Sequence, residues 1–189
     1  LLDRSRVERG ALRLQPSSFP VAGVFDELKT EFDAAHIDGR LVFSPAGADV
    51  IWADRPRTKQ MLRNLILNAV KYAGLYGPIR ISSHPAKPAG YTRLEVIDQG
   101  PGIPKHQLSE AFEPFSSLGP KRASDKSAGV GLSLVKHPAE AQQGAVGASI
   151  LPCVDTRFWI ELPSEPSSEA RAAYAQVSDD IDPRSVFPD

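Results

Sequence analysis

PRTKQMLRNLILNAVKYA, residues 56–73, is the stretch whose reading decides the fold. At 3.6 residues per turn, Met61, Leu62, Leu65, Ile66, Ala69 and Val70 fall on one side, so the spacing predicts an amphipathic helix with that side against a core. Asn64, Asn68, Lys71 and Tyr72 occupy an arc of roughly 100° beside the apolar stripe. Asparagine is a mediocre helix former because its side chain competes for backbone hydrogen bonds. Two of them at i, i+4, with a lysine next to them, make a candidate ligand-facing row. A carboxamide oxygen is a hard donor suited to Mg²⁺. A solvated polar face would present the same residue types.

Moving outward, strands are predicted at Ile79–Ser83 and Tyr91–Asp98, with a Pro-containing turn between them. In the second strand Leu94, Val96 and Asp98 share one face, so a carboxylate points where apolar residues point. It is costly there unless something donates hydrogen bonds to it. The run DQGPGI (98–103) adds Gly100 and Gly102, which let the backbone come close to a ligand. A base amino group is one natural donor to Asp98; an ordinary strand-end turn is the other reading. Further on, GVGLSL (129–134) stands where a helix begins. Backbone amides at a glycine-rich helix start, here Gly129, Val130, Gly131 and Leu132, can hold phosphate oxygens. Between these sites lie FEPF (112–115) and then Lys121, Arg122 and Lys126, cations able to reach a polyphosphate or to solvate a surface loop. Residues 99–128 are rich in Gly, Pro, Ser and Lys, and so long an irregular stretch suggests a functional loop.

The remaining elements frame this centre. Residues 1–10 read as the last turns of a helix stopped by Gly10. Ala11–Gln15 alternates like a short strand. Val21, Val24, Phe25, Leu28, Phe32 and Ala35 have helical spacing, ended near Gly39. Strands are expected at Arg40–Ser44 and Asp49–Trp52, a helix over Val130–Gln143, and strands at Val146–Leu151 and Arg157–Leu162. A polar tail follows Pro163. Helices and strands mix without regular βαβ alternation, which favours an α+β fold. The 189 residues are 41% hydrophobic and 24% charged, with 22 basic against 23 acidic side chains. A net charge of −1 argues against nucleic-acid binding, which requires a basic surface. No apolar run approaches the roughly 20 residues of a spanning helix, so no membrane contact is expected. A lone cysteine, Cys153, rules out an internal disulfide and a multi-cysteine metal site. The chain opens Leu1-Leu2-Asp3 without an initiator methionine and reads as a piece of a larger cytoplasmic polypeptide.

The four motifs, NLILNAVKY (64–72), DQGPGI, FEPF and GVGLSLVK, stand in an order and at intervals that resemble the ATP-binding catalytic domain of bacterial sensor histidine kinases. That family is grouped with the gyrase, heat-shock chaperone and mismatch-repair ATPases. The resemblance covers residues 11–163, leaving 1–10 as the end of a dimerisation helix and 164–189 as a tail or linker. It implies a two-layer α/β sandwich, with a mixed, mostly antiparallel sheet covered by helices on one face. It further implies that Asn68 coordinates Mg²⁺, that Asn64 and Lys71 lie near the phosphates of ATP, and that Tyr72 lines the nucleotide pocket. Asp98 would accept the adenine amino group, with Gly100, Gly102 and Ile103 shaping the pocket. Residues 116–128, with Lys121 and Arg122, would form a lid, and Gly129, Val130, Gly131 and Leu132 the phosphate-side motif at its end.

In this family the phosphate acceptor is a histidine on a dimerisation helix, in an H-E-x-x-x-P context that His36, His84, His106 and His137 all lack. The implied partners are therefore the protein's own dimerisation domain, in a homodimeric parent, and a response regulator. Three departures stand out: Ser133 where a third glycine is usual, Pro138 inside a helix, and Gln142-Gln143-Gly144 in place of His-Gly-Gly. They are expected to alter helix packing before they affect nucleotide binding. Two alternatives remain open at this point. One is a nucleotide- or protein-binding module without transfer activity. The other is an ATP-hydrolysing relative, against which Asn64 stands where those enzymes place a glutamate base.

Overall fold

The computed structural model describes residues 14–37, 39–45, 49–73, 77–87, 89–100, 102–104, 107–108, 110–113, 132–151 and 155–168. In chain order these give β1 (Pro16–Pro20), α1 (Val21–Ala34), β2 (Leu41–Pro45), β3 (Val50–Asp54) and α2 (Arg55–Tyr72). There follow β4 (Ile79–Pro85), β5 (Tyr91–Asp98), α3 (Ser133–Ala141), β6 (Ala145–Ile150) and β7 (Thr156–Pro163). A five-stranded sheet has the order β2-β4-β5-β7-β6; β2 pairs parallel to β4 and every other pair is antiparallel. The mixed, mostly antiparallel α+β architecture expected from the sequence is the one observed. Among the described residues no helix is long and apolar enough to cross a membrane.

One core lies between the helices and the sheet. Met61, Leu62, Leu65, Ile66 and Ala69 of α2 are buried together with Ile79 and Ile81 of β4, Leu94 and Val96 of β5, and Phe158, Ile160 and Leu162 of β7. The strand residues alternate, as they must when one face is covered. On β5, Thr92, Leu94, Val96 and Asp98 are all buried. The intervening Arg93 and Glu95 join a polar ladder on the opposite face, where Arg93 donates to Glu161 and stacks on Trp159, 4.4 Å from Cζ to the ring centroid. Helix α1 buries Val24, Phe25, Leu28 and Phe32 in the same core and packs on both β2 and α2, with Phe25 edge-to-face on Phe43 at 5.7 Å between centroids. Across the outer seam, Arg55 meets Glu27 and Arg63 meets Glu31, each at 2.6 Å. These pairs are solvated and contribute little to stability.

Several expected boundaries move, each for a local reason. The strand placed at Ala11–Gln15 is instead Pro16–Pro20; Leu14 and Gln15 lie outside it, and 11–13 lie outside the described residues. Two prolines hide this strand in the sequence, yet it pairs only with β3 in a two-stranded sheet, where missing donors are tolerated. Helix α1 stops at Ala34, well before Gly39, because His36 takes the left-handed conformation at φ 52°. Its amide bonds to the Asp33 carbonyl and that of Ile37 to the Phe32 carbonyl, the paired bonds of a Schellman closure. Helix α3 likewise ends at Ala141 rather than Gln143. Gln143 sits at φ 62°, its amide on the Glu140 carbonyl and that of Gly144 on the Ala139 carbonyl. Pro138 is accommodated inside α3, which continues past it to Ala141. The expected start near Val130 falls partly outside the described residues; the described helix begins at Ser133.

A non-glycine residue in the left-handed region costs about 1 kcal/mol that glycine avoids. Gln143 is exposed, so its side chain offers no packing to offset this. Gln143→Gly is therefore expected to raise unfolding stability by about 0.5–1 kcal/mol. A denaturant titration checks it: the midpoint should rise with an unchanged slope.

Candidate functional site

The C-terminal ends of β5 and α2 meet at Gly100. A Cβ on that residue would stand 2.7 Å from Asp98 Oδ1, 3.0 Å from the Tyr72 carbonyl oxygen and 3.1 Å from the Ala73 Cα. A side chain there would crowd the Asp98 carboxylate and press on the end of the helix. Glycine lets the Gly100 amide turn back and donate to Asp98 Oδ1 at 2.9 Å.

Asp98 is 4% exposed. Burial pushes its carboxyl up to about 6, with the Gly100 amide opposing the shift and the negative charge of Asp155 adding to it. Thr156 stands opposite Asp98 in the β5–β7 register and is buried on the same face. This is a carboxylate with one local donor, held among apolar strands, with capacity to accept from a further donor.

On α2 the expected row is present. Asn64 and Asn68 are half-buried, Tyr72 is half-buried and Lys71 is exposed. The Lys71 ammonium lies 4.8 Å from the Tyr72 ring centroid, within cation–π range. Asn64 Nδ2 is fully buried and has no hydrogen-bond partner among the described residues. An orphaned buried donor carries a desolvation cost of about 1–3 kcal/mol, which a ligand oxygen would relieve.

Gly102 follows with φ 76°, and Ile103 and Leu132 enter the core at 8% and 5% exposure. The FEPF motif anchors through Phe112, which packs edge-to-face on Phe158 of β7 with ring centroids 6.2 Å apart. Lys121, Arg122, Gly129, Val130, Gly131 and the rest of 116–128 lie outside the described residues. The structure thus brings Asn64, Asn68, Tyr72, Asp98, Gly100, Ile103 and Leu132 to the helix-covered side of one sheet.

Sequence reasoning missed other contributors. Asp155, bonded to Arg80 at 2.9 Å, raises the carboxyl of Asp98, and no local pattern connects residues so far apart. Glu113 and Lys136 pair at 2.6 Å and join the chain just after Phe112 to α3. The charges of both were visible, but their proximity was not. Gln142, read from sequence as a departure, makes a buried bond described below.

Of the histidines, His36 and His137 are exposed, and His84 Nε2 lies 3.9 Å from the Glu95 carboxylate. His106 is outside the described residues. Among the described residues no group of three or more His, Cys, Asp or Glu side chains could hold a metal ion.

The family profile described as "Histidine kinase-, DNA gyrase B-, and HSP90-like ATPase" matches residues 53–166, more than half of the chain. The sensor histidine kinase TmoS of Ectopseudomonas mendocina is 31% identical over 137 residues, covering 72% of this chain and 14% of its own length. The catalytic domain of the histidine kinase ThkA superposes with a TM-score of 0.66 at 25% identity, covering 80% of this chain and 99% of that one. Full-length ShkA in complex with AMPPNP superposes with a TM-score of 0.67 at 27% identity, over 84% of this chain and 33% of that one. The chain spans between 14% and 30% of the length of the first three curated relatives. Sequence, fold and the order of the site motifs therefore agree: this chain belongs to the histidine kinase-, gyrase B- and HSP90-like ATPases and is an ATP-binding catalytic domain of the sensor histidine kinase type.

Proposed function

We propose that this domain holds ATP with Mg²⁺ and presents the γ-phosphate to a histidine on a dimerisation domain of the same protein, from which it passes to a response regulator. The observation that carries the reading is the buried Asp98 carboxylate with its single local donor, at the end of the strand beside α2. An adenine amino group is a donor of the right kind for it. Asn68 would take Mg²⁺ through its side-chain oxygen, and the orphaned Asn64 amide would meet an acceptor such as a phosphate oxygen. Lys71 would add positive charge, and Lys121 and Arg122 would do so from the lid. Mg²⁺ supplies charge neutralisation between the phosphates. The chain's own task is positioning, which is most of what phosphoryl transfer asks of a protein.

The complex of ThkA with the response regulator TrrA supports a regulator as the downstream partner, and ShkA with AMPPNP supports an ATP-like ligand. The departures at Pro138 and Gln142 leave α3 intact and packed on α2, so they do not favour a module without transfer activity. The direct test is calorimetry of the domain with Mg·ADP, followed by γ-labelled ATP with the protein's own dimerisation domain added. No heat of binding at millimolar nucleotide would end the nucleotide reading. Label on His84 or His137 would overturn the acceptor assignment.

Asp98 gives a prediction with two opposite arms. Its folded carboxyl ionises near pH 6 instead of 3.8. The unfolded chain therefore gives up this proton first, and the fold loses on the order of 2–3 kcal/mol as pH rises from about 4 through 6. Asp98→Asn removes that cost. The empty variant should melt several degrees higher than wild type at pH 7.5 and equal to it at pH 4. The same change should weaken adenosine binding roughly ten- to hundredfold by loss of a charged acceptor. In wild type, adenosine affinity should fall as pH drops through about 6. Adenosine carries no phosphate to titrate, so the profile reports on the protein.

Asn68→Ala separates metal from base. Mg²⁺ should strengthen ADP binding to wild type and do so far less in the variant, whereas the two should bind ADP equally in EDTA. Titrations with and without Mg²⁺ provide the comparison.

A further inference from the structure

The ends of α2 and α3 far from Asp98 are tied by a buried carboxamide. Gln142, 8% exposed, accepts from the Asp54 amide through Oε1 at 2.6 Å and donates to the Pro138 carbonyl through Nε2 at 2.9 Å. Pro138 lies one turn earlier in the same helix, and its carbonyl is free for this bond because the Gln142 amide turns to the Ala139 carbonyl as the helix tightens. Asp54 is equally committed. Its Oδ1 caps α2 by accepting from the Arg57 amide at 3.0 Å, its Oδ2 accepts from the Gln15 amide at 2.8 Å, and its carbonyl accepts from the Thr58 hydroxyl at 2.9 Å. The end of α3, the start of α2 and the chain entering β1 are thus joined at one residue.

We propose that Gln142 is a positioning residue for the phosphate end of the nucleotide site. It sets where α3 lies along α2 by fixing both at Asp54. A nine-residue helix spans about 13 Å, which is also the distance along α2 from Arg55 to Asn64. An α3 that runs back along α2 from the tie at Asp54 would bring its start, at Leu132 and Ser133, level with the Asn64 turn. Gln142 touches no ligand. It acts on the spacing between the asparagine row of α2 and the start of α3 at Leu132 and Ser133. Asp98 sits at the other end of α2 and is fixed by β5 and Gly100, so adenine recognition is independent of this tie.

This inference rests on the nucleotide reading above, and the test separates the two. Binding of ADP and of adenosine is measured by calorimetry on wild type, Gln142→Ala, Gln142→Met and Gln142→His, well below each melting temperature. Gln142→Ala should weaken ADP about tenfold and change adenosine less than about twofold, as expected when a positioned contact slips by a fraction of an ångström. Gln142→Met keeps the side-chain length without the amide and should show the same selective loss; it decides the matter if the alanine variant does not fold. Gln142→His, whose ring offers one acceptor and one donor nitrogen, should restore ADP binding. A lowered melting temperature with unchanged ADP affinity would make Gln142 a purely structural residue and overturn the proposal. So would equal losses for ADP and adenosine. Wild type that binds neither ligand would overturn the nucleotide reading itself, and this inference with it.

Discussion

Helix α2 approaches the end of β5 as closely as it does because Gly100 has no side chain. The Tyr72 carbonyl and the Ala73 Cα come so close to the loop after β5 that a methyl group would force them or the loop to shift by a few tenths of an ångström. That closeness lets the stripe from Met61 to Ala69 bury completely against β4 and β5. At roughly 25 cal/mol per Å² of apolar surface, this stripe is a main source of the fold's stability. It also sets the rotation of α2, so that Asn64 and Asn68 emerge at the edge of the core and not within it or in open solvent. The residues that hold the fold together and those that face the site are neighbours on one helix, and a single contact orients both.

The same region carries a conflict. A carboxylate among Leu94, Val96 and Thr156 is a poor choice for stability, since burial opposes its ionisation and Asp155 opposes it further. One backbone donor compensates only in part. Asn64 shows the same pattern with the opposite polarity, a buried donor with no acceptor among the described residues. Folded proteins satisfy most buried polar groups, so a carboxylate at the end of β5 and a carboxamide along α2 that both retain bonding capacity suit a ligand that completes them. An acceptor at the strand end and a donor one helix over suit a molecule with an amino-bearing base at one end and oxygens at the other.

Local and periodic features of the fold were legible in the sequence. β5 was read to the residue and α2 to within one residue at each end, because alternation and a 3.6 period leave little choice. The site row on α2 and the inward direction of Asp98 followed from the same periodicities. What escaped reading depends on residues far apart or on conformations that break a rule. β1 hides behind Pro16 and Pro20, which count against a strand until the two-stranded pairing with β3 is known. The ends of α1 and α3 were placed too late because glycine was expected at the left-handed position, which His36 and Gln143 take instead. The bond from Gln142 to Asp54 joins two residues whose charge and hydropathy say nothing about each other. Read as a departure, Gln142 proves to be a satisfied buried side chain, which explains why α3 remains docked.

The division of the site into two halves follows from how the chain is pinned. At the Asp98 end, β5 lies between β4 and β7, and Asp98 itself pairs with Thr156 of β7 and accepts from the Gly100 amide. At the other end the chain leaves at Phe112 and Glu113 and returns at Leu132. Phe112 and Leu132 are both in the core, and Glu113 reaches Lys136 of α3. The exposed ion pair adds little energy. Burying Phe112 and Leu132 removes apolar surface from water, so these two described ends are fixed to the core as Asp98 is fixed to its strand.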